Sequence, residues 1–166
     1  RTALSVPASV TLRGEWERPG AGPVRGSVLA VYADRGNEDG PPFLLLNESA
    51  GLMDLAIWYP EQDAAAPVPY PFAIRQKAWT DSITVREVTL VNAWRGLAFG
   101  PEGNELHLVR DLYGTVLKLG LSLDMTTDIG RLENVNYGPD YWSASGLPGA
   151  PAAGGPHAAF MRAQGT

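Results

Sequence analysis

The chain has 166 residues, 45% of them apolar and 19% charged, the make-up of a globular protein with enough chain for a core. The formal charge of −5 argues against an electrostatic grip on nucleic acid. With no cysteine there are no disulfides and no thiolate metal sites, and no apolar run approaches the length of a membrane span.

Residues 1–14 hold two short alternating runs separated by Pro7, and the second, from Val10 to Gly14, reads as a strand ending at glycine. Residues 15–27, rich in Pro and Gly around Trp16, form a loop. Ser27 to Tyr32 is strand-like, Ala33 to Pro42 is a second loop carrying Glu38 and Asp39, and Phe43 to Leu46 is a short apolar strand. After Trp58 and Tyr59, an insertion carries Pro67, Pro69 and Pro71. Gly96 to Phe99 and Gly120 to Leu123 are further short strands. No amphipathic helix precedes residue 143; Ser143 to Gly155 reads as a loop, and Pro156 to Ala163 as the start of a short helix. The chain opens in what looks like mid-structure, without an initiator Met, and is read as part of a longer protein.

One stretch repeats itself. Asp81-Ser-Ile-Thr-Val-Arg-Glu-Val-Thr-Leu90, Glu105-Leu-His-Leu-Val-Arg-Asp-Leu-Tyr-Gly114 and Asp128-Ile-Gly-Arg-Leu-Glu-Asn-Val-Asn-Tyr137 lie at offsets of 24 and 23 without internal gaps. A fainter copy runs from Glu48 to Ile57. The fifth and eighth residues are apolar in every copy: Leu52 and Leu55, Val85 and Val88, Val109 and Leu112, Leu132 and Val135. Residues three apart cannot both face inward on a straight strand, so a bend is required between them. The seventh residue, Asp54, Glu87, Asp111 or Asn134, is the place for it, because Asn and Asp tolerate left-handed backbone; Glu87 fits that less well. A period in the twenties means a solenoid, in which each repeat buries its apolar face by stacking on its neighbours. Three short strands per rung and about 23 residues per rung predict a right-handed parallel β-helix, all-β, with incomplete rungs over 1–142. Residues 143–166 are then a loop leading into a further C-terminal part.

The run Ile83-Thr-Val-Arg-Glu-Val-Thr-Leu90 resembles the rung consensus of the pectate lyase superfamily, and Val10 to Gly14 resembles its early rungs. Asn104 to Thr115, and Asp128 to Tyr137 with Tyr141 and Trp142, are similar to bacterial glycosyl-hydrolase-like β-helix proteins. The resemblance covers about residues 4 to 142 and implies a secreted, carbohydrate-active protein with a polysaccharide partner, no nucleic acid and no membrane. Glycoside hydrolysis is its first implication. Polysaccharide lysis and non-catalytic carbohydrate binding or adhesion are the alternatives, since fold does not fix chemistry. No cofactor is expected; calcium enters only under the lyase reading.

Stacking turns repeat positions into columns. Glu48, Asp81, Glu105 and Asp128 form one, and Asp54, Glu87, Asp111 and Asn134 another. Such carboxylates could share protons or recruit calcium, yet corners and bends are where acids and amides are routine, and that structural reading is favoured. In the resembled superfamily the substrate groove commonly runs over the strand face holding Leu97 and Leu121. With Leu97, Phe99, Leu121 and Leu123 inward, Ala98 and Ser122 point outward, with Arg95, Lys118 and Asp124 at the edges. Arg75 belongs to this face if the insertion leaves its register intact. Arg95 and Lys118 could receive the carboxylate of an acidic sugar. Tyr59, Trp94 and Trp142 could stack on sugar faces, whereas Trp16 and Trp79 are assigned to packing. For hydrolysis the candidate carboxyl pair is Asp124 and Asp128. His107 is expected to point outward, and His157 falls in the tail.

Overall fold

A computed structural model describes residues 3–20, 22–153 and 155–156, and the backbone alone over 159–164. The architecture is all-β and mostly parallel, and it is solenoid-like. In chain order the elements are β1 (Leu4–Val6), β2 (Thr11–Arg13), β3 (Val28–Ala30), β4 (Leu44–Leu46), β5 (Gly51–Trp58), β6 (Phe72–Gln76), β7 (Thr80–Asp81) and β8 (Thr84–Phe99). They continue with β9 (Asn104–Glu105), β10 (Leu108–Asp124), β11 (Arg131–Tyr137), the single helical turn α1 (Asp140–Ser143) and β12 (Ala159–Gln164).

Three parallel ladders carry the chain. The first stacks β1 on β4 on β6, then on the ends of β8 and β10, then β12, so that Leu4, Leu44, Ile74, Leu97, Leu121 and Met161 share one column. The second aligns Leu12, Leu52, Val85, Val109 and Leu132. The third aligns Ala56, Thr89, Tyr113 and Asn136, with Val28 at its start. The inward columns hold the core: Leu52, Val85 and Val109 are fully buried, as are Leu44, Ile74, Leu97 and Leu121.

The bend lies where the apolar spacing demands it. Asp54, Glu87, Asp111 and Asn134 all adopt left-handed backbone, with φ of 59°, 56°, 55° and 54°. Each such residue costs of order 1–2 kcal/mol relative to right-handed backbone. The return is that both flanking apolar side chains, Val85 and Val88 for example, reach the interior. Glu87 follows its neighbours despite having the least suitable side chain. A second left-handed column, Ser9, Ser49, Ser82 and Leu106, turns the chain from the first ladder to the second. There the carbonyls of Glu48, Asp81 and Glu105 accept from the N–H of Ser9, Ser49 and Ser82, at 3.0, 2.9 and 3.1 Å. That first acidic column is therefore built into corners.

Two expectations fail. His107 does not point outward: it is buried and stacked on Phe99, centroids 4.1 Å apart, because the left-handed Leu106 turns it under the corner. The tail does not begin a helix at residue 156; Ala159–Gln164 is a strand that pairs in parallel with β10, since the first ladder offers β12 an open edge. His157 lies outside the described residues.

Candidate functional site

The outward row of the first ladder runs Leu45, Arg75, Ala98 and Ser122, so Arg75 keeps its register through the insertion. Alternation along each strand does this: Ile74 and Gln76 turn inward while Arg75 turns out. Two shallow clefts lie side by side on this row. One, of about 160 Å³, is lined by Phe72, Arg75, Ala98, Ser122 and Asp124, with Gly100 and Pro101 at its edge. The other, also about 160 Å³, is lined by Asp39, Gly40, Pro42, Phe72, Arg75 and Arg95. Arg75 and Phe72 are common to both. The Arg75 guanidinium is half-buried and lies 3.5 Å from a Glu102 carboxylate oxygen.

Arg95 and Lys118 belong to this region but are not free cations. Glu38, from the loop after β3, lies 3.4 Å from the Arg95 guanidinium and 2.5 Å from Lys118 Nζ. Its backbone carbonyl also accepts a bond from Arg95. The Lys118 ammonium, foremost, holds the Glu38 carboxyl below the usual glutamate range. Burial lowers the pKa of Arg95, whose guanidinium lies over Phe72, 4.3 Å from the ring centroid. Lys118 Nζ stands 5.7 Å from the ring centroid of Trp94, and that indole packs against the core. In register Arg95 opposes Leu119 and not Lys118, because an irregularity falls between Val116 and Leu119. What the spacing presents as two vacant anion sites is one three-residue clasp.

The other expected residues divide. Asp124 and Ser122 line the first cleft. Asp128 does not: it lies exposed on the next corner, and its carboxylate accepts from the N–H of Ile129 at 2.7 Å, so the Asp124 and Asp128 pair is not brought together around that cleft. Tyr59 and Trp142 are 1% and 0% exposed, and neither presents a ring to solvent. Tyr59 packs edge-on against Tyr70 at 4.8 Å, and burial pushes its phenol pKa up. Trp142 is a buried residue of α1, its backbone N–H donating to the Thr115 hydroxyl at 3.0 Å. Flat aromatic rings in loops read alike as platforms or as plugs, and these two are plugs.

The bend column is the other concentration of charge. Asp54 and Glu87 share a hydrogen bond that lowers the first carboxyl's pKa and raises the second's. Arg13 Nε binds Asp54 at 2.5 Å, and Arg86 lies 3.6 Å from Glu87. Further along, Asn134 donates to Asp111 and to the Tyr113 hydroxyl, the latter at 2.6 Å. Trp16 stacks on Tyr113 at 6.1 Å and donates to the Thr89 hydroxyl at 2.9 Å. Every member of this ladder has a partner in the wall. Among the described residues no group of three or more His, Asp or Glu is disposed to hold a metal ion, and no helix is long and apolar enough to cross a membrane.

Arg75, Phe72, Asp39 and Glu38 are the residues that sequence reasoning missed or left open. Arg75 carried a usable signal, the Ile-Arg-Gln alternation; Glu38 and Asp39 carried none, because only folding brings their loop over the first ladder. Compared with known proteins, the chain matches no family model, no curated protein and no solved structure.

Proposed function

We propose that this chain is a segment of a right-handed parallel β-helix that acts on polysaccharide outside the cell, with the polymer lying along the outward row of the first ladder. The observation that carries the reading is Arg75. It is a half-exposed guanidinium in the floor of two adjoining clefts, with a single carboxylate partner at the long distance of 3.5 Å. A guanidinium so placed can exchange that partner for a sugar carboxylate with bidentate geometry. A solenoid repeats its surface from rung to rung, which suits a repeating polymer.

Within that reading, glycoside hydrolysis is favoured over lysis because acids line the clefts on both sides of Arg75. Asp124 is the carboxyl on the strand side and Asp39 the one on the loop side. Two carboxyls flanking one bond are what hydrolysis requires. Asp39, in the adjoining cleft, is the candidate partner for Asp124 in place of the corner residue Asp128. Lysis remains the second reading, supported by the same guanidinium as a partner for a uronate.

The test is incubation with polygalacturonate. New reducing ends without the absorbance of an unsaturated uronate, lost in Asp124→Asn, support hydrolysis; that absorbance selects lysis. Binding without turnover selects a carbohydrate-binding module. Arg75→Ala is expected to weaken binding of the acidic polymer by about tenfold, the order of one charge-assisted pair. Unchanged affinity in that variant refutes the groove.

A further inference from the structure

Trp79 is 76% exposed, which the packing role expected of it does not explain. It also holds a left-handed backbone, φ 53°, which an aromatic residue adopts at a cost. Its ring is nevertheless fixed in place. A methyl group on Gly103 would come within 2.7 Å of the indole, so the ring lies directly over that glycine. Beside it opens a cleft of about 230 Å³ whose other walls include Asp81, Asn104, Glu105 and Thr127. Pairing of β7 with β9 sets Asp81 alongside Glu105, and the Thr127 hydroxyl donates to Glu105 at 3.2 Å. Asn104 holds the floor rigid: its amide donates to the carbonyls of Glu102 and Asp124 at 3.3 and 2.7 Å, and its oxygen accepts from Thr126 at 2.9 Å.

The geometry points to a second carbohydrate site at this corner, one that takes a neutral pyranose unit stacked on Trp79. The proposal rests on the carbohydrate reading above and extends it to a surface away from the Arg75 groove. An exposed indole offers a large flat apolar face at little entropic cost, matched to the C–H face of a sugar ring. Ionised carboxylates accept hydrogen bonds and donate none, so Asp81 and Glu105 suit the hydroxyl donors at a sugar's edge. The same two charges repel a uronate, which separates this site's preference from that of the Arg75 groove. Part of the first acidic column, built into corners by its backbone, thereby gains a use for its side chains.

Isothermal titration with cellohexaose and with hexagalacturonate tests the assignment. Cellohexaose is expected to bind, and Trp79→Ala to weaken it about tenfold or more. Gly103→Ala, which pushes the ring off the glycine, weakens it as well. Arg75→Ala leaves it unchanged. Trp79→Ala should melt within about 2 °C of wild type, since an exposed side chain contributes little to stability. In the double variant Asp81→Asn, Glu105→Gln, hexagalacturonate gains affinity that depends on Trp79. No binding of cellohexaose, equal affinity in Trp79→Ala, or a self-associating protein that dissociates on Trp79→Ala each overturns the proposal. Loss of acidic-polymer binding in Arg75→Ala alongside indifference to Trp79→Ala leaves the groove standing and removes only the corner site.

Discussion

Leu52 and Leu132 occupy the same inward column of the second ladder, yet one is 0% and the other 37% exposed. Truncating each to alanine removes the same three carbons, so any difference in cost measures stacking and not chemistry. For Leu52 the lost transfer energy is about 2.4 kcal/mol at about 0.8 kcal/mol per methylene. Strands stacked on both sides hold the cavity open, which adds about 1–2 kcal/mol and brings the total to about 3.5–4.5 kcal/mol. At Leu132 about a third of the transfer term is already absent and the edge leaves no closed cavity, so the cost is about 1.6 kcal/mol. For a chain of this size the gap of about 2–3 kcal/mol corresponds to about 4–12 °C in melting temperature. Urea titration followed by circular dichroism, with thermal melting alongside, reads both variants. Equal losses would refute the reasoning: either Leu52 is not enclosed on both sides, or Leu132 is covered by something that stacks on β11.

Other outcomes follow from charge and burial. Val109→Asp places a carboxylate without a partner at a fully buried position and should unfold the strands stacked on either side together; a cooperative melt at the wild-type temperature contradicts the inward assignment. The raised pKa of Glu87, caused first by its bond to Asp54, stabilises below the ordinary glutamate range and is lost as pH rises through the raised value. The lowered pKa of Asp54, set foremost by that same bond, acts oppositely: its contribution is present above the ordinary aspartate range and disappears as pH falls through the lowered value. Wild type should therefore lose stability relative to Glu87→Gln as pH rises above the ordinary glutamate range, and parallel melting curves there exclude the shared hydrogen bond. Burial lowers the pKa of His107, so stability falls as pH drops below about 6.5; His107→Phe, which preserves the stack on Phe99, should flatten that slope.

Much of the wall was legible before folding. The apolar pair at the fifth and eighth positions demanded a bend, and the Asp, Glu or Asn between them marked its place, because burial and left-handed backbone are local demands written at each repeat. Ala98 and Ser122 were legible as outward for the same reason: alternation along a strand leaves no choice once Leu97 and Leu121 are core. The candidate site was legible only on that strand. Asp124 and Ser122 line the cleft, whereas Tyr59 and Trp142 are buried, Asp128 caps its own corner, and Arg95 and Lys118 share the one carboxylate of Glu38. Trp79, assigned to packing, proved to be the most exposed large apolar residue among those described.

The sequence by itself determined a repeating parallel wall, its inward columns and its bends, since these depend on residues within a turn or a rung of one another. Only the tertiary structure decided which charges are free and which aromatic rings face water. Those properties depend on loops that meet the wall from distant parts of the chain, as Glu38 meets Lys118 and Gly103 meets Trp79, and no local pattern records such a meeting.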